Sequence, residues 1–148
     1  MAQNLGYSYI TTGLAYMLFN LIASIIIFGT LRFSLGPKRV ILQSFIAILA
    51  SILLAYSNFF FLGLFLMLAV AEGLGMGFFE SIIAKATKNK SSVSVDIGLL
   101  HVPMRLAEFA SLLYGGFIAQ YVGFAPVFFS CGIFFSIFSV LALYLLRN

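Results

Sequence analysis

Charged residues are scarce in this chain. Four Asp and Glu and eight Lys and Arg make up 8% of 148 residues, where an ordinary globular domain carries about 25%. So few charges cannot clothe a water-facing surface, and the exterior is expected to meet lipid. Cysteine is nearly absent. The lone Cys131 excludes an internal disulfide, and within an apolar stretch it reads as a small hydrophobe. With one histidine and one cysteine, a His/Cys metal centre is excluded, and no cofactor is expected. The chain has no His-Glu-x-x-His, no Gly-x-Ser-x-Gly and no glycine loop ahead of Lys-Ser or Lys-Thr, so the usual enzyme signatures are missing. A membrane enzyme built on Glu72, His101 and Glu108 stays open, but no motif asks for one. The first five residues carry no basic segment, and the apolar stretch after them is too long for a signal-peptide core. It reads as a retained membrane helix.

What the chain does have is apolar length. Hydrophobic residues make up 63% of it, gathered in five stretches at about 7–30, 39–57, 60–84, 97–119 and 124–146. About 20 apolar residues cross the hydrocarbon of a bilayer. In lipid the backbone must satisfy its own hydrogen bonds, so stretches of this length are expected to be helices. The fold class is all-α: a polytopic membrane bundle of about five transmembrane helices forming a single domain. Gly36-Pro37 predicts a tight turn before the second helix, and Asp96 predicts the N-cap of the fourth.

The basic residues are sorted. Arg32, Lys38 and Arg39 stand between the first and second stretches, Lys85, Lys88 and Lys90 between the third and fourth, and Arg147 after the fifth. The start of the chain and the connections near Ser57-Asn58 and Gln120-Gly123 carry no charge. Connections rich in Lys and Arg stay in the cytoplasm. The amino terminus is therefore expected outside and the carboxyl terminus in the cytoplasm, with the cell membrane as the location. The net charge of +4 follows from these loops and needs no nucleic-acid partner.

Small residues recur every fourth position: Ala69, Gly73 and Gly77 on the third helix, and Ala107, Ser111, Gly115 and Ala119 on the fourth. Such ladders let helices approach closely in lipid. They are expected to serve packing, chiefly at Gly73, Gly77, Ser111 and Gly115.

The run from Gly29 to Arg39 carries a resemblance. Gly29, Leu31, Gly36, Lys38 and Arg39 match the cytoplasmic signature loop of the major facilitator superfamily (MFS), with Phe33 and Ser34 where that family has Asp and a basic residue. Gly73-Leu74-Gly75-Met76-Gly77 resembles the glycine-rich fourth helix of a six-helix half. Gly115-Gly116-Phe117-Ile118-Ala119 and the Phe-rich segment after Gly123 resemble the fifth and sixth. An arginine usual before the fourth-helix glycines is replaced by Ala69 or Ala71, and Ser111-Leu112 stand where many antiporters have Gly-Pro. These departures resemble carboxyl-terminal halves, so the chain looks like helices eight to twelve of a twelve-helix transporter. The resemblance implies a partial half that moves a small solute by alternating access, and that needs further helices for activity, which a second chain could supply. A fragment, a split transporter, or a membrane assembly subunit that does not transport are the alternatives.

Five ionisable residues lie within the stretches: Glu72, Glu80, His101, Arg105 and Glu108. Each costs about 2.5–3.5 kcal/mol on insertion scales and is a functional candidate. At 100° per residue, His101, Arg105 and Glu108 fall within an arc of roughly 60° on one helix face. One reading makes that face a cavity wall, with Arg105 holding a polar or anionic group and Glu108 exchanging protons. The other makes Arg105 and Glu108 a neutralising structural pair. Glu72, beside the glycines, is a further coupling candidate. Glu80 is expected to pair with Lys85 at the surface, and His101 to sit near the cytoplasmic entrance. Asn20 and Gln43 are expected to make helix–helix hydrogen bonds.

Overall fold

A computed structural model describes residues 6–31, 36–56, 60–88 and 93–147. Among them are five α-helices and no strand: α1 Tyr9–Leu31, α2 Pro37–Tyr56, α3 Phe61–Thr87, α4 Val93–Tyr121 and α5 Phe124–Arg147. Their limits follow local chemistry. Pro37 opens α2, where its missing N–H removes a donor that would be unpaired anyway. The amides of Arg39 and Val40 then donate to the Gly36 carbonyl. Gly123 closes α4 from the left-handed region, with φ +110. Its amide and that of Val122 donate to the Ile118 carbonyl.

Two boundary expectations change. α4 begins at Val93, so Asp96 lies inside its first turn instead of capping it, and its side chain is outside the described residues. Gly29 belongs to the last turn of α1, and Lys38 and Arg39 to the first turn of α2. The helices thus extend into the signature run, and its members Phe33 and Ser34 lie outside the described residues.

The bundle is inverted relative to a soluble protein. Many of its buried positions are small or polar, among them Ala47, Ala50, Ala69, Ala71, Ser44 and Ser51, beside the larger Leu54, Leu64 and Phe78. Its exposed positions include Ile25, Phe28, Phe45, Leu112, Phe117 and Val140. This is the arrangement of a helix bundle in lipid, where large apolar side chains lose nothing by facing outward. Helices α1, α2, α3 and α5 are each long and apolar enough to cross a membrane. α4 has the length, 29 residues or about 43 Å. His101, Arg105, Glu108 and Gln120 make it less apolar than its neighbours.

α1 packs along α3, α3 along α2, and α2 along α5. The first of these contacts depends on missing side chains. A methyl group at Gly73 would lie 2.7 Å from the Ala23 carbonyl oxygen, and one at Gly77 would overlap Thr30 Oγ1. Phe19 and Phe65 extend the seam, with ring centroids 4.7 Å apart. Between α2 and α5, Ser44 and Ser139 share a buried hydrogen bond, and Val40, Phe78 and Ala142 form a cluster with α3.

α4 is attached differently. His101 and Met104 near one end, and Gly115, Ile118 and Ala119 near the other, are partly covered. Every residue from Arg105 to Tyr114 is exposed. The middle of α4 therefore stands clear of the bundle. Of its small-residue ladder, Ala107 and Ser111 are exposed, and a methyl at Gly115 would meet only Val127, at 4.0 Å.

Candidate functional site

Residues of α2, α3 and α5, with Met104 of α4, line a cavity of about 390 Å³. Helix α2 contributes Gln43 to its lining, α3 contributes Glu72, Gly75, Met76 and Phe79, and α4 contributes Met104. The opposite wall is α5, with Cys131, Phe134, Phe135 and Phe138. The lining is aromatic and thioether-rich, with one amide and one carboxylate. This is the composition expected of a small-molecule pocket, largely apolar with a few polar groups that fix orientation.

The polar members are held by the helices around them. Gln43 is 0% exposed, and neither its Nε2 nor its Oε1 has a hydrogen-bond partner. The expected helix–helix bond is therefore not made. Space for the amide exists because Gly75 has no side chain: a Cβ there would lie 3.0 Å from Gln43 Nε2. Asn20 also departs from expectation. Its Nδ2 donates to the Tyr16 carbonyl on its own helix, 2.8 Å away. Glu72 sits midway along α3 on the cavity lining and is exposed in the bundle. It has no ion-pair partner among the described residues.

Arg105 and Glu108 meet each other. Arg105 Nη1 donates to Glu108 Oε2 at 2.8 Å, with 70% and 50% of the two side chains exposed. Ser111 Oγ donates to the Glu108 carbonyl. His101 joins a different pair. Its Nδ1 bonds the Ile97 carbonyl at 2.8 Å, and its Nε2 lies 3.1 Å from Glu80 Oε1 on α3. Glu80 thus turns inward to α4 instead of outward, and the side chain of Lys85 is outside the described residues. Phe79 meets the His101 ring edge-on, with centroids 5.5 Å apart.

Glu72 is thereby placed on the cavity, Arg105 and Glu108 on the exposed stretch of α4, and His101 against Glu80 of α3. Sequence reasoning missed the cavity itself, with Gln43 as its buried polar member and Phe134, Phe135 and Phe138 as its wall. A phenylalanine-rich helix signals apolarity on all sides, and only packing shows which rings turn inward.

The sequence model of the Major Facilitator Superfamily matches residues 1–148. The chain belongs to the Major Facilitator Superfamily. No curated protein and no solved structure matches it. Membership makes this a multi-pass membrane protein of a transporter family, set among lipids and concerned with a small solute. In an MFS protein, a polar cluster at mid-membrane is a place to look for the solute path.

Proposed function

We propose that this chain forms one wall of an MFS secondary transporter that moves a small solute by alternating access, and that Glu72, Arg105, Glu108 and His101 serve substrate or proton coupling. One observation carries the reading: Arg105 and Glu108 are paired on the stretch of α4 that stands clear of the bundle, and Glu72, midway along α3, is exposed on the cavity lining. A charge in lipid at this depth costs about 2.5–3.5 kcal/mol, so this face belongs against water or further protein. An aqueous path flanked by a cavity meets that need. Glu72 and Glu108 would take up and release protons as their surroundings alternate.

In this reading all five helices cross the cell membrane, with the amino terminus outside and the carboxyl terminus cytoplasmic. Further helices, on this polypeptide or a second chain, complete the path. The chain corresponds to the carboxyl-terminal half of the family's architecture. Purification from native membranes through a tag after Asn148 tests the arrangement. The expected companion carries about seven apolar spans, and the reconstituted pair should accumulate solute. Recovery of the chain alone or bound only to itself, with no uptake, overturns the proposal.

A further inference from the structure

We propose that the cavity binds an amphipathic organic cation, with its positive group at Glu72 and its apolar body among Phe79, Phe134, Phe135 and Phe138. The inference names the ligand class of the site and rests on the transport reading only for what binding is used for. Among the described residues, no Lys, Arg or His lines the cavity. Arg105, the mid-helix cation of α4, is engaged by Glu108 at 2.8 Å. A carboxylate without a counter-charge at mid-membrane is unfavourable, and a bound cation offsets that cost. Aromatic rings present negative faces to a cation, and Met76 and Met104 add polarizable surface that adapts to an apolar body.

Gln43 supplies the second, independent observation. A buried amide with neither a donor nor an acceptor partner is rare, because burial without a hydrogen bond is costly. Here both amide atoms are unpartnered at the back of the cavity, and the glycine at position 75 leaves them room. A ligand with a hydrogen-bonding group in addition to its charge would satisfy them. An acyl chain would satisfy neither Gln43 nor Glu72.

The test uses two ions of one shape and opposite charge, tetraphenylphosphonium and tetraphenylborate. Each is titrated onto the full chain in lipid nanodiscs, with binding to empty discs subtracted. The phosphonium is expected to bind and the borate not to. Glu72→Gln should weaken phosphonium binding about tenfold or more, the scale of a lost charged contact. Because this variant could misfold, a second readout uses the unaltered protein. Cys131 is the chain's single cysteine and lines the cavity, so bound phosphonium should slow its alkylation by an uncharged maleimide while borate should not. Equal binding of the two ions, unchanged binding in a folded Glu72→Gln variant, or Cys131 labelling indifferent to phosphonium would each overturn the cation site. Glu72-dependent binding without uptake by the completed assembly would leave the site standing and remove the transport reading.

Discussion

Nε2 of His101 lies 3.1 Å from Oε1 of Glu80 and ties α4 to α3 across 21 residues of sequence. The other ring nitrogen, Nδ1, faces the Ile97 carbonyl. A carbonyl only accepts, so Nδ1 must carry a proton there. The link to Glu80 then needs a proton of its own, held either on Nε2 or on the carboxyl. Glu80→Gln can still donate to a neutral imidazole and should keep α4 in place. Glu80→Leu cannot, and should speed hydrogen exchange through residues 97–104 at least several-fold, as His101→Leu should. Unchanged exchange in both leucine variants would show that α4 is held elsewhere.

The α1–α3 seam makes a prediction that depends on position. Gly73→Ala brings a methyl against the Ala23 backbone oxygen, which cannot swing aside. The expected loss is about 1–3 kcal/mol, read by denaturant titration in detergent micelles. Gly63→Ala on the same helix meets nothing within 4 Å and should be neutral or slightly stabilising. Equal effects at the two sites would mean that α1 does not pack where the structure places it.

Gln43 should behave oppositely to an ordinary core residue. Replacing a buried amide that has no partner with leucine removes a burial cost of about 1–3 kcal/mol. Gln43→Leu is therefore expected to raise the unfolding midpoint, while binding of tetraphenylphosphonium, which has no hydrogen-bonding group, should change by no more than about twofold. A variant that loses stability instead would show that the amide has a partner in the bilayer.

Arg105 and Glu108 can be separated from a purely structural pair by exchanging them. Arg105→Ala should reduce solute uptake by the reconstituted assembly at least tenfold. The double exchange R105E/E108R preserves a 2.8 Å-type ion pair but reverses its polarity toward the path. Uptake is expected to stay low. Full recovery would assign the pair to holding the fold together.

Orientation is open to a direct check. A fluorescent protein fused after Asn148 should fold and fluoresce, and alkaline phosphatase at the same point should be inactive. Active phosphatase would invert the topology.

Helix class and number were legible because each apolar stretch exceeds what a soluble core needs, and in lipid such a stretch has one hydrogen-bonded solution. Helix ends were less so. The polar run before Asp96 looks like a loop, yet α4 starts at Val93, since polar residues at a membrane surface remain free to be helical. The Arg105–Glu108 contact follows from spacing within one helix. The Glu80–His101 contact depends on how α3 and α4 are set against each other, which no local pattern encodes. Gln43 reads in sequence as a polar residue seeking a partner. That it has none is a property of three packed helices and of the absent side chain at Gly75.

The left-handed turn at Gly123 has a consequence for how the protein is made. Only Val122 and Gly123 separate α4 from α5. α4, with charges in its middle, is the helix least able to enter a bilayer unaided, and α5 is strongly apolar. A connection this short lets neither settle while the other waits in water. The two should therefore insert together as a hairpin, so that α4 reaches its depth only once the ribosome has delivered α5.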